Sequence, residues 1–178
     1  MRKFKIKSYA KINISLGILN KLKSKLHKIE SLFTFINLHD EIFIKNIKSK
    51  NHKIIFYGKF SKGIFKNNTI SKLLKVLEKK LNGQKYLIKV NKNIPLKSGM
   101  GGGSMNASSL FNFLIKSKNL NLSSKEVAKI SSRIGSDVII GLHKNASILY
   151  GDGNIKNLNN KINLYTLLVK PNFGCSSK

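Results

Sequence analysis

The sequence predicts an α+β domain. Two observations lead there. The first third of the chain alternates apolar and polar residues with a period of two, the pattern of half-buried strands. Later segments carry apolar residues at helical spacing, so strands gather early and helices interrupt afterwards.

The elements follow in order. FKIKSYA and KINISLGIL read as strands, followed by a polar, Lys-rich stretch over 20–25. SLFTFINL and EIFIKNI read as strands flanking a turn or short connection at His39-Asp40. HKIIFYG is a further strand, and 63–68 is a loop. Ile70, Leu73, Leu74, Leu77 and Leu81 share one helical face, which predicts a helix over 69–81 that Asn82-Gly83 stops. KYLIKVNKNI returns to strand, and 104–118 reads as a helix with Leu110, Phe111, Phe113 and Leu114 on its apolar side. Ser123 and Glu126 form a capping-box pattern, with Leu122 and Val127 as its staple, and that helix stops at Gly135. ASILYG and INLYTLLVK are late strands, separated by the turn-rich stretch 152–161.

Composition narrows the function classes. The chain has 178 residues, enough for one domain with a real core. It carries 34 basic and 7 acidic side chains, a net charge of +27. Such charge attracts phosphates, as in nucleic-acid binders. Only Arg2 and Arg133 are arginines, however, and base readout and bidentate phosphate contacts favour Arg. The lysines are spread over the whole chain, so the excess reads as a Lys, Asn and Ile bias that still favours anionic ligands such as nucleotides. No apolar run reaches the ~18 residues of a membrane helix, and the N-terminus lacks a signal-peptide pattern. Cys175 has no internal disulfide partner, which makes the cytoplasm the expected compartment. The four histidines show no zinc-ligand spacing, so no protein metal site is expected.

The segment Pro95-Leu96-Lys97-Ser98-Gly99-Met100-Gly101-Gly102-Gly103-Ser104-Met105-Asn106 carries the chemistry. Four of five consecutive residues, 99–103, are glycine, between a predicted strand and a predicted helix. Glycine allows backbone N–H groups to converge and lets a ligand approach closely. The helix that follows offers its unpaired N–H groups and dipole to an anion. Ser104 is expected to cap that helix or donate to a phosphate oxygen. A plain flexible turn is the bland alternative. The loop lacks the Gly-Lys-Ser/Thr of a Walker loop and the G-x-G-x-x-G of a dinucleotide loop.

This pattern resembles the second motif of the galactokinase, homoserine kinase, mevalonate kinase and phosphomevalonate kinase (GHMP) superfamily. Three further segments agree in order: SYAKIN at Ser8–Asn13, LHKIESLF at Leu26–Phe33, and IGSDV at Ile134–Val138. Together they are similar to the 4-diphosphocytidyl-2-C-methyl-D-erythritol kinases within that superfamily. The sequence departs from their pattern at Lys25-Leu26, where Gly-Tyr is usual, at Met105 in place of a second serine, and at Ile139 in place of proline.

The resemblance implies a ribosomal-protein-like fold, a mixed β-sheet packed against helices. It implies an ATP-binding domain over residues 1–160. Residues 161–178 would begin a second lobe whose remainder, with a third glycine-rich motif, is absent. It implies ATP and Mg2+, and phosphorylation of the 2-hydroxyl of a cytidine diphosphate conjugate of methylerythritol in non-mevalonate isoprenoid synthesis. Asp137 would be the catalytic base and Lys11 its partner, offsetting charge on the transferring phosphoryl group. Without the resemblance, Asp137 reads as a turn residue and Lys11 as a solvated lysine. Asn13, His27 and Phe33 would contact substrate. Residues 95–105 and Asn68 would contact the nucleotide, although helix capping explains Asn68 equally well. Asp40-Glu41 and Asp152 read as turn residues. The competing expectations are a nucleic-acid-binding module of the same fold, and a kinase fragment inactive without its second lobe.

Overall fold

A computed structural model of the chain describes residues 3–21, 27–143, 145–159, 165–169 and 171, with the side chains of 20, 21, 27 and 28 outside the description. Six strands form one mixed sheet. The strands are β1 (Lys3–Lys21), β2 (His27–Ile47), β3 (Lys53–Tyr57), β4 (Lys85–Asn91), β5 (Ser147–Leu149) and β6 (Ile155–Asn157). Strand β2 is the spine. It pairs antiparallel with β1 along one edge. Its other edge pairs with β4 through 41–47 and with β5 through 31–33. Strands β3 and β4 run parallel, which requires a crossover between them, and α1 lies in that connection.

The helices are α1 (Thr69–Leu77), α2 (Gly102–Ser117) and α3 (Ser124–Ile134). Ile70, Leu73, Leu74 and Leu77 of α1 meet Leu110, Phe111 and Leu114 of α2 in one core. The sheet contributes Ile42 and Ile44 from β2, and Tyr86, Ile88 and Val90 from β4. Each set is spaced two apart, so one face of each strand is buried. Fully burying such a side chain contributes roughly 1.5–3 kcal/mol. The Ser123–Glu126 capping box forms as its spacing predicts. The Ser123 N–H bond, with help from Lys80, holds the Glu126 carboxyl below its usual pKa.

Several expectations change. The first two predicted strands are one strand, because β1 continues through bulges between Tyr9 and Ala10 and between Asn13 and Ser15. The predicted turn at His39-Asp40 lies inside β2, where Asp40 pairs with Ser8 and Glu41 with Asn91. The 69–81 helix tightens to a 3-10 turn over Glu78–Leu81 and ends at left-handed Asn82. Helix α2 begins two residues before Ser104, so Ser104 does not cap it. Strand β6 falls in the stretch read as turns. Residues 165–169 of the last predicted strand form no strand, and Tyr165, Leu167 and Val169 are exposed. Most of 161–178, with Cys175, lies outside the described residues, as do 22–26 with Lys25-Leu26.

Candidate active site

The glycine loop leaves β4 and turns into α2. Its backbone takes positive φ at Lys97 (53°), Gly99 (72°) and Gly101 (63°). Gly101 is the N-cap of α2, and no side chain bonds there. The first helical bond runs from Met105 N–H to the Gly101 carbonyl, 2.8 Å. The N–H groups of Gly102, Gly103 and Ser104 precede that bond, so the helix gives them no partner. They face the start of the helix with its partial positive charge. Ser98 Oγ donates to the Pro95 carbonyl at 2.8 Å, closing the turn that contains Leu96 and Lys97. Met105 is 2% exposed and fills the space beneath the loop.

Strand β1 reaches this loop directly. Lys11 N–H donates to the Met100 carbonyl at 3.2 Å. The Lys11 side chain is buried, and its Nζ donates to Asn13 Oδ1 at 3.1 Å. The same Nζ lies 3.7 Å from Asp137 Oδ2, an ion pair longer than a hydrogen bond. Asp137 sits in a 3-10 turn over Ser136–Val138, just past the end of α3. Its side chain is 36% exposed, whereas that of Lys11 is 6% exposed. Gly101 fits between them and the helix: a Cβ there would meet Asp137 Oδ2 at 3.6 Å and Lys11 Cε at 3.7 Å. The structure thus brings Lys11, Asn13, Asp137 and Gly101 to one place from three distant segments. The Ser136 hydroxyl reaches the other carboxylate oxygen, Oδ1, at 3.4 Å.

The remaining predicted residues are placed less centrally. Asn68 caps α1: its Oδ1 accepts from Ser71 N–H, and its Nδ2 donates to the Phe65 and Lys66 carbonyls. It nevertheless stands at the loop, because the neighbouring Thr69 hydroxyl donates to the Gly103 carbonyl at 2.6 Å. Phe33 lies opposite Asn13 but is fully buried, so its ring offers no face to a ligand. The His27 backbone pairs with Lys21, while Lys11 pairs with Phe35. Eight residues of β2 separate the two positions, on the order of 27 Å of strand. The His27 side chain lies outside the description.

From the sequence Asp40 reads as a turn residue, Asn106 only closes the glycine-rich segment, and Lys92 carries no role. Asp40 is fully buried and paired with buried Lys92. Its Oδ1 accepts from the N–H groups of Asn93 (2.7 Å) and Ile94 (2.8 Å), and its Oδ2 from Asn106 Nδ2 (3.0 Å). No local signal marks Asp40: Asp is common in turns, and its partner Lys92 lies 52 residues away.

Residues 68–151 match the family described as GHMP kinases N terminal domain. Residues 68–151 carry the fold of that domain. The chain is 57% identical, over its whole length, to a Pelagibacter ubique protein named 4-diphosphocytidyl-2-C-methyl-D-erythritol kinase, of which it covers 64%. A Petrotoga mobilis protein of the same name is 33% identical over 97% of this chain and 66% of its own. The chain therefore spans about two-thirds or less of these curated relatives. Among solved structures, a 4-(cytidine 5'-diphospho)-2C-methyl-D-erythritol kinase superposes with a TM-score of 0.70 at 22% identity, covering 87% of this chain and 55% of that one. A homoserine kinase from Cytophaga hutchinsonii gives 0.63 at 17% identity, over 88% and 51%. These two likenesses establish the fold of the GHMP domain.

Proposed function

We propose that this chain is the N-terminal part of a kinase that transfers the γ-phosphoryl group of ATP to 4-diphosphocytidyl-2-C-methyl-D-erythritol. The observation that carries the reading is the convergence of Lys11 and Asp137, 3.7 Å apart, on Gly101 at the N-terminus of α2. A phosphate cradle, an ammonium and a half-exposed carboxylate are the parts that phosphoryl transfer to a hydroxyl requires. The relatives' names supply the substrate.

In this reading the N–H groups of Gly102, Gly103 and Ser104 receive phosphate oxygens. Asp137 orients the acceptor hydroxyl and takes its proton as the new O–P bond forms. The bond from the γ-phosphorus to the bridging oxygen breaks, and ADP leaves. Lys11 offsets negative charge on the moving phosphoryl group. Asn13 fixes the Lys11 ammonium and faces the acceptor. Asn68 lies beside the nucleotide end of the cradle, and residues 95–101 form its wall. His27 marks the distal end of the β1–β2 hairpin as a site for the cytidine, whereas the enclosed Phe33 makes no contact with substrate. Residues 1–160 form the ATP-binding lobe and 161–178 the start of the next.

Magnesium fits as an ion carried by the nucleotide. The described residues contain no cluster of three or more acids, histidines or cysteines that would cage a metal. Ser104 and Asp137 are the oxygen donors beside the loop, and the ion would neutralise phosphate charge there. No helix among the described residues is long and apolar enough to cross a membrane.

Nucleotide binding by the 178-residue chain tests the reading. Equilibrium titration with a fluorescent ATP analogue should show saturable binding that ATP and ADP compete away. A mixed-sequence RNA should compete only weakly at physiological salt. Tight, salt-sensitive RNA binding without ATP competition would favour a nucleic-acid module instead.

A further inference from the structure

The nucleotide reading leaves one charged cluster without a task. Asp40 and Lys92 are buried side chains at 0% and 1% exposure, and they form an ion pair inside the domain. Burying two charges is costly, and an apolar pair of similar volume often serves stability as well. Stability alone therefore does not account for the cluster. Its hydrogen bonds do. The Asp40 carboxylate takes the N–H groups of Asn93 and Ile94, the last residues before Pro95. It also takes Asn106 Nδ2, in the first turns of α2. The glycine loop runs between these two attachments. One carboxylate on β2 thus holds the loop at its entry and its exit.

Lys92 adds a third tie. Its backbone N–H donates to the Tyr57 carbonyl at 2.7 Å, and its carbonyl accepts from Phe60 N–H at 3.2 Å, so the strand end cannot drift. Its Nζ lies directly under the loop: a Cβ on Gly102 would meet it at 3.3 Å and Ile94 Cγ2 at 3.0 Å. Gly102 is therefore seated on the clamp itself. Among the described residues Asn106 Oδ1 has no hydrogen-bond partner, so the amide's one side-chain bond is the one from Nδ2 to Asp40.

We propose that Asp40, Lys92 and Asn106 act as a positioning clamp that fixes both ends of the glycine loop in its nucleotide-binding shape. The inference rests on the nucleotide reading above. The side chains touch neither the phosphates nor the acceptor. They act through the backbone N–H groups of 102–104, whose convergence on one point depends on where the loop begins and ends.

The test uses the 178-residue chain and two variants. Asn106→Leu keeps the branching of the side chain, removes the exit tie and leaves the Asp40–Lys92 pair in place. Asp40→Asn keeps the shape but places an amide donor against Lys92. Two readouts are taken: ATP affinity, and hydrogen exchange of the backbone amides over 96–105 compared with those of α3. The clamp predicts that Asn106→Leu lowers ATP affinity about tenfold. It also predicts faster exchange in the loop, while exchange in α3 stays at the parent rate. Asp40→Asn should show the larger loss of the two. If Asp40→Asn does not fold, Asn106→Leu decides alone. Parent-like affinity and loop exchange in Asn106→Leu would overturn the clamp. A uniform rise in exchange over loop and α3 together would also overturn it, since that marks general destabilisation. If the parent binds no ATP, the nucleotide reading fails and the clamp's purpose with it. If the parent binds and the variants match it, the clamp alone fails.

Discussion

At the scale of single residues, the site is built from side chains whose roles depend on their neighbours. Lys11 is one of many lysines, and nothing in its own identity separates it from the others. Its burial and its bonds to Asn13 and Asp137 do so. The family pattern made Lys11, Asn13 and Asp137 legible, because the motifs preserve their order. The same pattern did not reveal that Phe33 is enclosed, since enclosure depends on packing across β1, β2 and β5. Asp40 was misread for a related reason: a short polar pair between apolar runs looks like a turn until a distant lysine supplies its partner. Gly101 gives a prediction at this scale. Its φ of 63° is left-handed, which strains any side chain, while a Cβ would stand in ordinary van der Waals contact with Asp137 and Lys11. Gly101→Ala should cost on the order of 1 kcal/mol in urea denaturation. It should also weaken ATP binding at least severalfold in calorimetry. Unchanged nucleotide affinity would remove Gly101 from the cradle.

At the scale of elements, local signals carried most of the fold. The helical periodicity of 69–81 and the capping box at Ser123–Glu126 both appear where the sequence places them. Strand existence was also legible, because alternation survives in β1 to β4. Strand continuity was not, because a bulge and a turn both interrupt alternation by one residue. Strand β6 was missed because Gly, Asp and Asn residues crowd both its flanks and read as turns. Helix α1 is tied to the sheet edge by His52. Its Nδ1 accepts from Tyr86 N–H at 3.1 Å, and its Nε2 lies 3.3 Å from Glu78 Oε2, so Nε2 carries the proton. Burial, partly opposed by Glu78, lowers the His52 pKa below 6.5. The folded state thus binds this proton less readily than the unfolded one. The contribution is complete above about pH 6.5 and declines as pH falls through that value toward the lower folded pKa. The melting temperature should fall between pH 7 and pH 5, with a smaller slope in His52→Gln. Equal slopes in the two proteins would show that His52 does not set it.

At the scale of the whole molecule, the sheet explains why distant motifs meet. The spine β2 holds β1 on one edge, and β4 and β5 on the other. Lys11 enters from β1, the glycine loop from the end of β4, and Asp137 from the turn after α3. Sequence spacing alone cannot show this convergence, because Lys11 is separated from both Gly101 and Asp137 by more than half of the domain. The family resemblance anticipated it, and the geometry supplies the distances. The chain covers 64% of its Pelagibacter ubique relative, so turnover is best measured with the rest of that protein present. Residues 1–178 can be grafted in place of the matching segment of the relative. Transfer of labelled γ-phosphate from ATP to 4-diphosphocytidyl-2-C-methyl-D-erythritol is then followed in the graft and in its Asp137→Asn form. The account predicts turnover in the graft, and a kcat lower by about a hundredfold or more with Asp137→Asn, at little change in ATP affinity. An Asp137→Asn graft that turns over within about twofold of the parent graft would contradict it.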